Sequence, residues 1–288
     1  MTASLALAIL ALTMLTAAAA VALAALARRL ALTPAFEGPA GGAQLTPEDL
    51  LSRIPNVLVA GAFLLLAGSL TSLAVVTGRA PWASLSETAI AFATAVLGAY
   101  LFIARVGAIR GLAGPAALLA GVLVAYGLAI PNELHPLQPA LQQPVLLTVH
   151  VGAAIASYGV GGMAFLAALV ELAQRGTGDA IPGLPPAAVA RRAAHLAVLV
   201  AFPLLTAAIA LGSVWANLAW RSYWNNDPKE LAAAATWLVY AAELHLAGRR
   251  DRWGAAAPWL LVLGFAGVLF TWLGAGLLFV GQHSYATP

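Results

Sequence analysis

The chain has 288 residues, of which 62% are hydrophobic and only 9% are charged, and its formal net charge is +3 at pH 7. Such a chain cannot cover a water-facing surface of ordinary polarity, so the composition excludes a soluble globular protein. The sequence contains no cysteine, which excludes a thiol-based electron carrier, a disulfide framework and covalent chemistry by the protein's own sulfur. Its excess of arginine needs no nucleic-acid partner, because membrane topology explains most of it.

Eight apolar runs are long enough, at about 20 residues each, to cross a bilayer as helices. The runs are continuous in Ala, Leu, Val and Gly and lack a two-residue alternation, so barrel strands are not expected. The predicted fold is an all-α polytopic membrane bundle of about eight transmembrane helices with an external Trp-rich loop. The predicted spans are residues 3–27, 55–78, 86–104, 112–130, 145–173, 194–214, 230–248 and 256–281.

The predicted division places an N-terminal transmembrane helix and a cytoplasmic loop in residues 1–54 and the main transmembrane domain in residues 55–288. The first run ends at Arg28-Arg29 without a convincing cleavage site, so we expect it to be retained. The loop from Leu30 to Pro55 predicts a flexible piece followed by a short helix capped at Thr46-Pro47-Glu48-Asp49. A later Ala-rich stretch with Arg191 and Arg192 is expected to lie along the membrane interface.

Loop charge predicts the orientation of the spans. In an eight-span arrangement one face holds Arg79, Arg221 and Lys229, and the other face is expected to be cytoplasmic because it holds eleven arginines. These are Arg28, Arg29, Arg53, Arg105, Arg110, Arg175, Arg191, Arg192, Arg249, Arg250 and Arg252. The termini and the Trp-rich loop are therefore predicted to face the outside of the plasma membrane.

The stretch from Glu133 to Tyr158 begins as an external Pro/Gln-rich loop and enters the fifth span near Pro144, a residue suited to the first turn of a helix. His150 lies about two turns inside that span. An ionisable side chain inside a span is costly to bury, which makes His150 a candidate functional residue.

The Trp-rich block runs from Trp215 to Glu230 and reads Trp-Ala-Asn-Leu-Ala-Trp-Arg-Ser-Tyr-Trp-Asn-Asn-Asp-Pro-Lys-Glu. An aromatic surface with a few fixed charges suits a large planar ligand, which stacks on the indole faces while Arg221 or Lys229 pairs with its carboxylates. The alternative is an interfacial aromatic belt, since Trp and Tyr gather at membrane surfaces.

This block resembles the "WWD" segment of heme-handling membrane proteins, specifically the CcsA/ResC branch of cytochrome c biogenesis. The matching positions are Trp215, Asn217, Trp220, Tyr223, Trp224, Asp227, Pro228, Lys229 and Glu230. A second match to that branch comprises Pro139-Ala140-Leu141-Gln142, His150, Ser157 and Tyr158. Arg221, Asn225 and Asn226 stand where the family usually has Gly, Ser and Trp. We expect Arg221 to compensate for the missing Trp by pairing with a ligand carboxylate.

The resemblance implies that the cofactor is heme b and that the Trp-rich block, including Asn217 and Asp227, contributes to its site. His283 closes the last span at the same height as His150, and two such imidazoles can supply both axial ligands to a heme iron. The alternative for each is a helix-end histidine bonded to a backbone carbonyl. The role of Asp227 is left open between holding the loop and tuning a propionate.

The resemblance also implies an inner heme site at His245, near Glu243, with its second ligand from a CcsB/ResB-type partner protein. The alternative is an interfacial histidine beside Arg249-Arg250. We expect no functional role for His195 or His135.

The implied activity is that of a cytochrome c heme lyase component. It would carry heme to the external side and present it to the Cys-x-x-Cys-His of an apocytochrome c, without a side-chain nucleophile. The alternatives are a CcmC-like heme exporter or chaperone and a non-heme transporter. A transporter would carry intramembrane charge pairs, which the sequence does not predict.

Overall fold

The computed structural model describes residues 2–31, 47–107, 109–130, 144–247 and 254–283. Within these ranges the protein is helical and contains no strand, which confirms the predicted all-α bundle. The helices are α1 Thr2–Ala31, α2 Pro47–Thr77, α3 Leu85–Val106, α4 Ala113–Ala129, α5 Pro144–Thr177, α6 Ala187–Trp220, α7 Pro228–Ala247, α8 Ala257–Leu269 and α9 Ala275–Leu278. A short 3₁₀ turn, Arg110–Leu112, precedes α4, and a π-helical turn, Phe270–Gly274, joins α8 to α9.

Seven helical segments of the described chain are long and apolar enough to cross a membrane. Each of the helices α1 to α6 forms one of these segments in whole or in large part. The seventh segment combines α8, the π-helical turn and α9. The predicted span at residues 230–248 also forms a helix, α7, but it is outside this set, and the helix carries Lys229, Glu230 and Glu243 near its two ends. Hydropathy therefore predicted the existence of every long helix, with α7 the least membrane-like.

Helix α5 lies at the centre of the bundle and packs against α6, α3 and α8, while α1 packs against α2 and α4. Small residues allow these helices to approach closely. A Cβ atom added at Gly159 of α5 would lie 2.5 Å from the backbone of Ala95 in α3, so glycine is needed at this crossing. The close packing gives α5 fixed neighbours at both ends, where the polar residues lie.

Two helices begin earlier than the hydropathy pattern predicted. Arg191 and Arg192, which we expected along the interface, belong to the first turns of α6, because Ala-rich sequence favours helix and Arg191 Nε donates to Glu171 at 2.7 Å. Similarly, α2 begins at Pro47 and continues through Pro55, so the predicted short helix is the first part of α2 and precedes the apolar segment Arg53–Thr77. Leu30 and Ala31 belong to α1, and residues 32–46 of the predicted loop lie outside the described residues.

Candidate functional site

The Trp-rich block is half helical, so its prediction as a loop was wrong for the first six residues. Helix α6 continues to Trp220, and Arg221 ends it in the left-handed conformation, with φ 63° and its backbone N–H donating to Asn217 O at 3.0 Å. The connection to α7 comprises residues 221–227. Left-handed residues commonly end helices and are usually glycine, so Arg221 occupies a position that favours glycine.

The Asp-Pro-Lys-Glu sequence at the end of this block starts α7 as a capping box. Asp227 Oδ1 accepts a hydrogen bond from Lys229 N at 2.9 Å, and Glu230 Oε2 accepts one from Asp227 N at 3.2 Å. Pro228 occupies the first helical position, where its missing N–H costs nothing. This part of the motif therefore has a structural role: it positions the side chain of Asp227.

Asp227 also binds the chain segment that follows α9. His283 Nδ1 donates to Asp227 Oδ1 at 2.8 Å, and Gln282 N donates to Oδ2 at 2.7 Å. Burial alone would raise the pKa of Asp227, but His283 and the backbone donors outweigh it and lower the pKa to about 2. Asp227 is thus an ionised, buried carboxylate that orients His283.

His150 is oriented in a similar way by a neighbouring helix. Its Nδ1 atom lies 2.8 Å from the carbonyl oxygen of Ala208 in α6, and because a carbonyl can only accept, Nδ1 carries the proton. Gly212 makes room for the ring: a Cβ there would lie 2.6 Å from His150 Cε1. The expected alternative of a carbonyl-bonded histidine is therefore present, yet it fixes the tautomer that leaves Nε2 as the acceptor nitrogen.

Trp215 brings the two histidines together. Its indole is 1% exposed and stacks on His150, with centroids 6.2 Å apart and an interplanar angle of 8°. The ring of His283 lies 5.7 Å from it, and Trp220 packs edge-on against His283 at 4.9 Å. Residues separated by more than 130 positions in the chain thus form one aromatic and imidazole cluster.

A cavity of about 210 Å³ opens beside this cluster. Helices α3, α5, α6, α7 and the π-helical turn contribute to its walls, together with the connections before α3 and α7. Its lining includes His150, His283, Lys229 and Glu230 and the aromatic residues Trp82, Tyr158, Trp215, Tyr223, Trp224 and Trp272. The cavity is a mostly apolar space with a few polar groups, as ligand sites usually are.

Several of the remaining candidate residues do not line the cavity. Asn217 and Arg221 are not among the residues that line it, and Arg221 is exposed. Asn226 is exposed, has φ 55°, and accepts a hydrogen bond from Trp224 Nε1 at 2.9 Å. His245 is exposed at the opposite end of α7. His135 and the Pro139–Gln142 motif lie outside the described residues.

Sequence reasoning missed the wall formed by Trp82, Thr88 and Trp272. Trp272 belongs to the π-helical turn, and its indole nitrogen donates to Thr88 Oγ1 at 3.1 Å. The signal was present: Trp82 lies in the short connection between the second and third spans, on the face assigned to the Trp-rich loop. An aromatic residue on that face was a reasonable candidate for the same site.

Comparison with known proteins places the chain in a family. The family model "Cytochrome C assembly protein" matches residues 54–283. A cytochrome c biogenesis protein CcsA from Synechococcus sp. strain RCC307 is 32% identical over 289 residues, covering 89% of this chain and 91% of the relative. The chain is a CcsA-type member of the cytochrome c assembly protein family.

Two further CcsA relatives are more similar over a shorter stretch. The protein from Synechococcus elongatus is 51% identical over 84 residues, which is 29% of this chain and 26% of the relative. The protein from Guillardia theta is 49% identical over 84 residues, which is 29% of this chain and 28% of the relative. Membership of this family assigns the protein a role in cytochrome c maturation. The region matched by the family model, residues 54–283, includes every helix that lines the cavity, whereas α1 lies outside that region.

This CcsA-type chain also has a polar cluster at the other end of the bundle, which the sequence did not predict. Buried Glu171 pairs with Arg175 at 2.5 Å and Arg191 at 2.7 Å, and His195 Nδ1 lies 3.4 Å from Oε1 of buried Glu243. The sequence did not predict these pairs, because Arg191 belongs to a helical extension of α6 that hydropathy does not mark. His195, expected to be without a role, belongs to this cluster.

Proposed function

We propose that this protein is the subunit of a cytochrome c synthase that holds heme b in the cavity beside the Trp-rich segment and presents it to an apocytochrome c. The observation that carries the proposal is the meeting of His150 and His283 at Trp215. Each imidazole has its Nδ1 bonded to a protein acceptor, and such bonds orient the ring of a metal-ligating histidine.

The residues present fit a heme in two respects. An imidazole from α5 and another from the segment after α9 would both hold the heme iron, and the hydrogen bond to Asp227 would fix the orientation of the His283 ring. The aromatic walls offer faces on which a porphyrin can stack. Within this proposal Trp215, Tyr223 and Trp224 contact the porphyrin, and Trp220 supports His283.

The reaction supported by this arrangement is the addition of the apocytochrome's cysteine thiols to the vinyl groups of heme. Each addition forms one carbon–sulfur bond, and the thiol hydrogen ends on the neighbouring vinyl carbon, so no external oxidant or reductant is needed. The substrate supplies both sulfurs, which is compatible with a chain that has no cysteine. The protein contributes by holding one reactant at the position where the other arrives.

The supply of heme is proposed to come from the cytoplasmic face. His245 lies at the end of α7 that also carries Glu243, opposite the cavity. We propose that it binds an inner heme together with a histidine from a CcsB/ResB-type partner. The Trp-rich segment and both termini then face the outside of the plasma membrane, where the apocytochrome is found.

The proposal is tested by the visible absorption spectrum of the purified protein and its histidine variants. His150→Ala and His283→Ala should each lower heme content or leave a five-coordinate, easily oxidised iron, and added imidazole should partly restore the original spectrum. Gly152→Ala on α5, where an added Cβ meets nothing within 4 Å, is the control. A colourless protein from heme-replete cells, or unaltered spectra in both variants, contradicts the assignment. Bound heme without attachment to an apocytochrome would instead support a heme exporter or chaperone.

A further inference from the structure

Lys229 occupies an unusual electrostatic position in the cavity. Its side chain is partly buried, lines the cavity, and extends past Gly276 of α9, with Cε 3.8 Å from the place where a Cβ at Gly276 would lie. Among the described residues, no carboxylate forms an ion pair with its ammonium group. Burial lowers the pKa of Lys229, whereas the charge of Asp227 opposes this shift.

The two acidic groups nearest to Lys229 in sequence are already engaged. Asp227 uses both carboxylate oxygens for His283, Gln282 and the backbone of Lys229. Glu230 Oε2 accepts from the backbone N–H groups of Asn225 and Asp227 at 2.8 Å and 3.2 Å. A partly desolvated ammonium that forms no ion pair is costly, and an anion brought by a ligand would reduce that cost.

Trp82 supplies a second donor to the same cavity. Its indole nitrogen is buried and has no hydrogen-bond partner in the described part of the protein. The short connection that carries it is held rigidly: Arg79 makes two hydrogen bonds of 2.8 Å to the buried Glu87 carboxylate, which also accepts from Ala83 N at 2.8 Å. Buried polar groups normally find a partner, so the unpaired indole nitrogen of a residue that lines the cavity is a candidate donor to a ligand.

We infer that Lys229 and Trp82 form a carboxylate-recognition subsite of this cavity, which selects a planar ligand bearing a free carboxylate. The inference rests on the proposed function, in which that ligand is heme and the carboxylate is a propionate. It assigns the charge recognition to Lys229 instead of Arg221, because Arg221 is exposed and outside the cavity lining. The subsite would orient the porphyrin within its plane, which the two axial imidazoles cannot do.

The test compares hemin with hemin dimethyl ester, in which both propionates are blocked, on the purified full-length chain depleted of heme. The measured quantity is the ratio of the two dissociation constants within one protein, which cancels the ester's greater partition into detergent. A charge-assisted hydrogen bond predicts that Lys229→Met lowers the preference for the free acid by about tenfold or more relative to the unaltered protein. Lys229→Arg should keep most of the preference.

Two further variants keep the test decisive. Trp82→Phe retains the aromatic face and removes the donor, so it should lower the same ratio by about threefold to tenfold even if Lys229→Met fails to fold. Arg221→Met removes an equal charge from the connection that precedes α7 and should leave the ratio unchanged. An unchanged ratio in Lys229→Met and Trp82→Phe, or a loss confined to Arg221→Met, overturns the inference while heme binding stands. If the unaltered protein binds neither porphyrin, the proposed function fails as well.

Discussion

The Nδ1 atom of His283 lies 2.8 Å from Oδ1 of Asp227, although 56 residues separate them in the chain. The same oxygen accepts the backbone N–H of Lys229 at the start of α7. One buried carboxylate therefore joins the first turn of α7 to the segment that follows α9. The position of His283 depends on the helix start, which explains why a candidate ligand and a capping motif occur at the same site.

Asp227→Asn separates the charge of this residue from its capping function. Asn is as good a helix N-cap as Asp, so the variant should fold, but His283 loses the anion that orients its ring. We expect heme affinity to fall by roughly 10- to 100-fold, with partial loss of six-coordinate iron in the visible spectrum. Glu230→Gln, which alters the other half of the capping box, should leave the coordination unchanged. Equal affinity in Asp227→Asn and the unaltered protein would show that the contact is structural alone.

The pKa of Asp227 also predicts a pH dependence. A carboxyl whose pKa is lowered on folding, here from 3.8 to about 2, stabilises the folded state above its unfolded pKa, and this stabilisation is lost as the pH falls through the folded pKa. Acidification from pH 7 to pH 5 should therefore leave the Asp227 carboxylate ionised. The loss of bound heme in that range is measured by absorbance. Its dependence on pH should be equally steep in the unaltered protein and in Asp227→Asn.

Arg221→Gly should stabilise the protein. Arg221 has φ 63°, a conformation that costs roughly 1 kcal/mol for a residue with a Cβ and almost nothing for glycine. We therefore expect a gain of about 1 kcal/mol in the free energy of unfolding, measured as a higher thermal midpoint in detergent. Asn226→Gly, at φ 55°, should gain less because Asn tolerates this conformation well. A lower midpoint for Arg221→Gly would mean that its side chain makes a stabilising contact.

Much of the fold followed from apolar length, but the helix ends did not. The start of α5 at Pro144 was predicted because proline suits a first turn. Hydropathy failed for α6, which is longer than its apolar run at both ends. At one end Arg191 is paired with Glu171, and at the other Trp215 packs against His150 of α5. Neither tertiary contact leaves a periodic signal within the helix itself.

The candidate site was predicted in part for a similar reason. Span lengths and loop charges placed His150 and His283 at one height, and the structure brings both to Trp215. The carboxylate partner of His283 was not predictable, because the role of Asp227 depends on the position of a distant chain segment. Trp82 was overlooked because a lone tryptophan near a membrane surface needs no special explanation.

Topology reporters test the orientation on which the proposed function depends. A reporter fused after Pro288 should be active only outside the cytoplasm, because His283 and the Trp-rich segment lie at the same end of the bundle. A reporter inserted between Arg249 and Arg252 should be active only in the cytoplasm, as the distribution of arginine predicts. The reverse pattern would separate the cavity from the compartment in which apocytochromes are matured.

Gly212→Ala tests the position of His150 without removing a polar group. In an α-helix alanine is favoured over glycine by about 1 kcal/mol, so α6 itself should gain from the change. However, the new Cβ would lie 2.6 Å from His150 Cε1 and 3.0 Å from Nδ1, so the ring must move and its bond to Ala208 O must lengthen. We expect lower heme occupancy and an altered axial-ligand spectrum with little loss of thermal stability.

The matched control is Gly152→Ala on α5, where a Cβ meets nothing within 4 Å and heme binding should be unchanged. If both variants bind heme like the unaltered protein, the His150 ring does not need the position that Gly212 allows, and its assignment as an iron ligand loses its structural support.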